Sequence, residues 1–220
     1  FHTDAVQAPA WLDLNFSELG VCAMSISGHK VGGPHGIGAL IISRDCHVTP
    51  LIHGGGQERD VRSGTLDAPA IVAFATALEI SSERRTETVA RVSALRDDLV
   101  TRVMQIAPDA IYTGAKKDRL ANNAHFVFPG CLGDSLLMLL DAQGVECSVG
   151  SACNAGVPQP SHVLLAMGAD DDAARSTLRF SLGSTTTQSD IDKLIEVLPS
   201  ALERAKRAGV PKLTTAPVRA

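Results

Sequence analysis

No CxxC pair occurs among the five cysteines of this 220-residue chain, Cys22, Cys46, Cys131, Cys147 and Cys153. That absence argues against a structural zinc site, and an odd number of thiols scattered through a sizeable chain argues against a secreted disulfide framework. Positive charge is not in excess either: 20 Lys and Arg stand against 24 Asp and Glu, with a formal net charge of -4 and a pI near 6.0. The positive field that direct binding to nucleic acid or an anionic membrane needs is therefore missing. No apolar run reaches the ~18 residues of a spanning helix. Asp4 and Asp13 interrupt the beginning of the sequence, where a signal peptide would be apolar. The expectation is a soluble, cytoplasmic protein with no direct nucleic-acid or membrane partner. The opening "FHTDAVQA" is strand-like and has no initiator Met and no capping or turn residues ahead of it, so the sequence is expected to start inside a domain. No internal repeat is present.

What is there is ample material for a core, 45% apolar residues. Residues 21–27 and 38–43 read as short buried strands, with "GHKVGGPHG" between them as loop. Residues 51–65, "LIHGGGQERDVRSGT", form a second long loop of the kind that is usually functional in a compact domain. The pattern then turns helical: a buried helix over 68–80 with Pro69 at its start, and a longer amphipathic helix over 83–106. Strands are expected at 110–112, 124–128, 145–149 and 177–182, and helices at 133–143, 161–167 and 189–208. Alternating strands and helices predict an α/β protein in two parts, residues 1–85 and a smaller domain over 86–209, followed by a loose tail at 210–220.

Lys30, in "MSISGHKVGGPHGIGAL", invites a phosphate-binding reading that its neighbours refuse. A P-loop needs Gly-Lys-Ser/Thr after a four-residue spacer, whereas His29 precedes Lys30, Val31 follows it, and most of the glycines lie downstream. A dinucleotide fingerprint fails as well, because "GIGALI" places Ile41 where a third glycine is required. A lysine at a strand end suits a Schiff base instead, since the sheet fixes its backbone while its stem reaches an aldehyde. A pyridoxal phosphate site also needs a carboxylate for the ring nitrogen, donors for the phosphate and an Arg for the substrate carboxylate. Asp4, Ser27 with His29, and Arg179 are available for these tasks.

Five segments in order, "HTDAVQA", "SGHKVGGPHGIGAL", "HGGGQERDVRSGT", "GSACNAG" and "LRFSLG", resemble the cysteine desulfurases of the NifS/IscS type. These belong to the class V aminotransferase family of fold-type I pyridoxal-phosphate enzymes. The resemblance runs from residue 1 to about residue 208. It implies the C-terminal part of the large cofactor-binding α/β domain, followed by the smaller C-terminal α/β domain. It implies a catalytic set of Lys30, which bonds the cofactor's aldehyde and shuttles a proton, with Cys153 and His29. It also implies cofactor contacts from Asp4 to the ring nitrogen, from Gln7 to the ring's phenolic oxygen and from Ser27 and His29 to the phosphate. By the same resemblance Thr65 reaches the phosphate held by the other protomer of a homodimer, and Arg179 clamps the carboxylate of the substrate, L-cysteine.

Cys153 sits in "SVGSACNAGVPQP", rich in Gly, Ser and Pro, which suits a loop-borne nucleophile. By resemblance it leaves the reaction as a persulfide, passed to an iron–sulfur scaffold or tRNA-thiolating acceptor, and it could transiently ligate a nascent cluster. The family's ring-stacking histidine and N-terminal phosphate turn lie upstream of "HTDAVQ" and outside these residues. A selenocysteine lyase, an aminotransferase of the same fold and a non-catalytic dimerisation or docking module are the alternatives. Cys22, Cys46, Cys131 and Cys147 are expected to be buried structural thiols, and His53 and His125 satisfied structural histidines; Arg59 and Arg62 are expected to order their loop.

Overall fold

The computed structural model describes residues 1–149 and 160–209. It divides into two compact units, Phe1–Val89 and a second beginning at Ala90.

The first unit holds a three-stranded sheet of order β1-β2-β3, formed by His2–Asp4, Ala23–Ser27 and Gly38–Ile42. β1 runs parallel to β2 with His2 opposite Ala23 and Asp4 opposite Ser25, while β3 returns antiparallel with Gly38 opposite Ser27. The strand expected over 38–43 is present, but it is not buried: as an edge strand it leaves Leu40 exposed. Part of the expected loop after β2 is ordered as a 3-10 turn, Gly28–Val31, closed by Gly32 in the left-handed region at φ 85°. A second 3-10 turn, Ala8–Ala10, follows β1.

A single helix, α1, spans Ala68–Ile106 where two were expected. Only Ser81 and Ser82 separate the two expected helices, with no Gly or Pro, and serine's helix penalty is too small to end a helix flanked by good formers. The first part of α1 is not a buried helix either. Phe74 is buried, while Ile71, Val72 and Ile80 are exposed. Arg85 ties α1 to the first unit by donating to the Asp13 carboxylate at 2.6 Å and the Pro9 carbonyl at 3.4 Å.

In the second unit β4 (Ile111–Tyr112), β5 (Asn123–Val127) and β6 (Thr177–Ser181) form an antiparallel sheet in that order. One face carries the aromatic core. Phe126 packs against Tyr112, Phe128 and Phe180, with ring centroids 5.3, 5.7 and 6.2 Å away. Val92, Leu95, Leu99 and Val103, at helical spacing on α1, are buried. The helices α2 (Gly133–Asp141) and α5 (Gln188–Ala208) pack together, burying Leu136 and Leu140 of the one and Leu194, Leu198 and Leu202 of the other.

The strand expected over 145–149 reduces to one bridge, Ser148 opposite Arg179. The Val145 amide is committed to the end of α2 through the Leu140 carbonyl at 3.0 Å, which leaves too little chain free for a ladder. α3 (His162–Ala166) is shorter than expected, and α4 (Asp171–Arg175) was not foreseen. Its signal is nonetheless local: Asp170 caps it by accepting from the Ala173 amide at 2.8 Å. The 210–220 tail lies outside the described residues.

Because Phe126 is fully buried at the centre of this aromatic cluster, Phe126→Ala should cost about 3–5 kcal/mol of stability. A shift of the urea midpoint corresponding to less than about 1 kcal/mol would show that the cluster is not the centre of the core.

Candidate active site

Parallel pairing of β1 with β2 brings the C-terminal ends of two neighbouring strands to one edge of the sheet. In open α/β sheets that edge is where ligands bind. Asp4 ends β1 and Ser27 ends β2, two residues beyond Asp4's partner Ser25. His29 and Lys30 follow at once in the 3-10 turn, and Gln7 lies just after β1 as the N-cap of the other 3-10 turn, which packs beside it. Five of the candidate residues are thus gathered by a short stretch of backbone. Asp4, Gln7, His29 and Lys30 are exposed in this chain, and Ser27 is half-buried.

The side chains are pre-oriented. The Asp4 carboxylate accepts from the Val6 amide at 3.0 Å, which fixes it at the strand end. Ser27 Oγ and His29 Nδ1 are hydrogen-bonded at 2.8 Å, so hydroxyl and imidazole form one polar unit. His35 stacks on His29 with centroids 5.4 Å apart, a support that sequence reasoning missed because it depends on how the glycine turn folds back. His2 Nε2 likewise meets Ser25 Oγ at 2.8 Å. Lys30 forms no ion pair or hydrogen bond among the described residues, leaving its amine available for an aldehyde. The donor set fits pyridoxal phosphate: a carboxylate for the ring nitrogen, a hydroxyl–imidazole pair for the phosphate and an unengaged lysine.

Gly28 makes the turn possible. A Cβ there would stand 2.7 Å from Ile37 Cγ2 and 2.9 Å from the Pro34 carbonyl oxygen, so no larger residue fits without displacing backbone.

Thr65 lies on the long loop and is exposed. Gln57 Oε1 accepts from the Gly64 amide at 3.0 Å, Ser63 beside it is buried, and Arg62 donates to the Ser63 carbonyl at 3.4 Å. Glu58, Arg59 and Asp60 all adopt positive φ, at 51°, 58° and 61°. Three consecutive non-glycine residues in the left-handed region cost of order 1–3 kcal/mol each, so the surrounding contacts have to hold this loop in place.

Arg179 belongs to the second unit, on β6, directly opposite His125 of β5. It is half-buried and donates to Ser148 Oγ at 3.5 Å; its Nε is buried without a hydrogen-bond partner, and no carboxylate pairs with it among the described residues. A guanidinium in that condition is poised for an anion. Burial, with the Arg179 and Arg119 cations nearby, pushes His125 down to about 4, so this imidazole is neutral at pH 7.

Cys153 lies outside the described residues. Of the described cysteines, Cys131 is buried as expected, but Cys22 is exposed and Cys46 and Cys147 are half-buried. Cys22 stands just outside β2, and Cys147 is not in a strand. Burial raises the Cys131 thiol, and burial with the Asp141 carboxylate raises Cys147 to about 11. Both are held away from the thiolate that sulfur chemistry requires. No group of three or more His, Cys, Asp or Glu among the described residues is arranged to hold a metal ion, and no helix there is long and apolar enough to cross a membrane.

The class-V aminotransferase family profile matches residues 1–194, and the chain belongs to that family, whose members depend on pyridoxal phosphate. The chain is 55% identical over 210 residues to an IscS-like cysteine desulfurase of Mycobacterium tuberculosis, an alignment covering 95% of this chain and 53% of the relative. It is 39% identical over 206 residues to cysteine desulfurase IscS of Dictyoglomus turgidum, covering 94% of this chain and 52% of that protein. Among solved structures, a NifS-like protein from Rickettsia africae superimposes with a TM-score of 0.84 at 32% identity, over 92% of this chain and 53% of that one. The chain therefore spans about half the length of the relatives it matches, and its fold is that of the fold-type I pyridoxal-phosphate enzymes.

Two outcomes are expected. Gly28→Ala should displace the turn that carries Lys30 and reduce cofactor loading at least about tenfold, read from visible absorbance; unchanged loading would detach the turn from the site. Between pH 6.5 and about 4 the unfolded chain binds a proton at His125 that the folded chain refuses. The His125 contribution to stability should therefore fall as pH drops through that window and be constant above it. The difference in urea midpoint between wild type and His125→Asn should shrink or reverse between pH 7 and pH 4.5, and a constant difference would contradict the buried neutral imidazole.

Proposed function

We propose that the protein is a cysteine desulfurase, which takes sulfur from L-cysteine, releases L-alanine and carries the sulfur as a persulfide on Cys153. The observation that carries this is the gathering of Asp4, Gln7, Ser27, His29 and Lys30 at the C-terminal edge of two parallel strands. It occurs in a chain 55% identical to an IscS-like cysteine desulfurase.

When bound, pyridoxal phosphate supplies an aldehyde that holds the substrate's amino group and a ring that takes up the electron pair freed as the carbon–sulfur bond breaks. Asp4 would accept a hydrogen bond from the ring nitrogen and keep it protonated. Gln7 would bond the phenolic oxygen, and the Ser27–His29 pair would bond the phosphate. Lys30 Nζ takes the proton from the substrate Cα. Arg179 binds the substrate carboxylate. The Cys153 thiolate attacks the substrate Sγ: a sulfur–sulfur bond forms, the carbon–sulfur bond breaks, and protonation of the carbon gives alanine. Cys131 and Cys147 are poor rivals for this role, because their environments disfavour the thiolate.

In the same reading the protein is a homodimer in which Thr65 reaches the phosphate held by the partner. A protein acceptor, an iron–sulfur scaffold or thiolation protein, takes the persulfide, with Cys153 a transient cluster ligand. A free-thiol relay needs a reducing compartment, so we place the protein in the cytoplasm.

Borohydride reduction of the complete, cofactor-loaded polypeptide should fix a pyridoxyl group on Lys30, located by peptide mass. Lys30→Ala should lower alanine formation from cysteine by about 10²–10⁴-fold. Cys153→Ala should keep the cofactor but form no persulfide. A pyridoxyl group on another residue, or wild-type alanine formation by Cys153→Ala, would sink the assignment. Alkylation at pH 7.5 should modify Cys153 about a hundredfold faster than Cys147, whose thiol is pushed to about 11.

A further inference from the structure

Four residues of the second unit fall in one row across the sheet. Thr113 follows β4 and its amide donates to the His125 carbonyl at 3.0 Å; His125 is opposite Arg179; and Arg179 is opposite Ser148 through paired backbone bonds of 2.8 and 3.1 Å. Residues opposite each other in antiparallel pairing project from the same face. The row Thr113–His125–Arg179–Ser148 thus stands on the face opposite Phe126 and Phe180.

The row is wired by side chains. Thr113 Oγ1 lies 2.7 Å from His125 Nδ1 and 3.2 Å from the His125 carbonyl oxygen. The threonine hydroxyl has one proton, and giving it to the carbonyl satisfies both contacts when His125 Nδ1 donates to Oγ1. Nε2 is then the unprotonated nitrogen. Arg179 favours the same arrangement, since a guanidinium is attracted by a lone pair and repelled by an N–H. The charged groups facing His125 are Arg179 from β6 and Arg119 from the loop after β4, the latter held over the Tyr112 ring at 4.2 Å and by the Thr113 carbonyl at 3.3 Å. Both are cations and oppose a proton on the second ring nitrogen, so the imidazole is held neutral.

We propose that His125 is a positioning residue: anchored by Thr113 as the Nδ1–H tautomer, it presents an uncharged acceptor beside Arg179 and, with Ser148 on the other side, sets the guanidinium to receive a ligand's carboxylate. This rests on the reading of Arg179 as the carboxylate clamp. A carboxylate at position 125 would neutralise the clamp, whereas a neutral imidazole orients it and leaves its charge for the ligand.

The test uses the cofactor-loaded protein, with L-alanine and cysteamine, which lacks the carboxylate, as probes in calorimetry. His125→Ala should weaken L-alanine about tenfold and leave cysteamine unchanged. It should raise the KM for L-cysteine by a similar factor, with kcat altered less than about twofold. His125→Gln places an amide oxygen near the lost Nε2 and should restore L-alanine binding; His125→Asn replaces only the Thr113 side and should not. By NMR the His125 imidazole should remain neutral down to about pH 5, and Arg179→Gln should raise its pKa.

Equal loss for both probes, full rescue by Asn, or an imidazole titrating near 6.5 beside an intact Arg179 would overturn the proposal. The binding and NMR measurements need no turnover. A protein that makes no alanine yet shows the selective loss defeats the desulfurase reading alone, and an active desulfurase with no His125 effect defeats this one alone.

Discussion

Parallel pairing of His2–Asp4 with the start of β2 is the constraint on which the candidate active site depends, because it aligns two strand ends that are about twenty residues apart in the chain. Asp4 and Ser27 reach one edge only if Asp4 lies opposite Ser25; a slip of one residue would send the Asp4 side chain to the other face of the sheet. The turn after β2 then has to be tight, so that His29 and Lys30 stay at that edge. Gly28, crowded by Ile37 and Pro34, and Gly32, in the left-handed region, make it tight. The polar groups follow from this backbone: Ser27 meets His29, His35 stacks behind it, and Lys30 is left unengaged.

In the second unit charge is arranged differently. Most arginines there have partners: Arg102 bonds Asp98 and Asp192, and Arg96 bonds Asp97 and the carbonyls of Leu120 and Ala121. Arg179 stands between a neutral histidine and a serine, with its Nε unsatisfied. An arginine that serves a ligand has to keep its charge and be held in place by uncharged groups. Ser148 belongs to the segment that leads toward Cys153, so the backbone bridge at Arg179 anchors the chain just ahead of the proposed nucleophile.

Much of this was legible in residue order. Lys30 was separable from a P-loop by its immediate neighbours, and Asp4, Ser27, His29 and Arg179 were nameable from their chemistry and from five short motifs. Strand positions at β2, β3, β5 and β6 followed from apolar runs bounded by turn residues. The single helix α1 was not legible, because the change from an apolar to an amphipathic pattern at Ser81 and Ser82 reads as a break and is merely a weak point within a continuous helix. The strand expected at 145–149 failed for a reason outside its own residues, the return of the Val145 amide to α2. His125 read as a satisfied structural histidine, and its bond to Thr113 agrees with that; its place beside Arg179 required the β5–β6 register.

Sequence alone determined the chemical inventory: a lysine just past a strand end, a carboxylate, a serine two residues from a histidine, an arginine and a cysteine in a Gly- and Ser-rich stretch, in an order resembling the cysteine desulfurases. These are local facts, set by residue type and spacing. Tertiary structure decided which of them share an edge, which thiols are suppressed and which neighbours tune the arginine. Strand register, burial and cross-strand distance arise between residues far apart in the chain, where no local pattern records them.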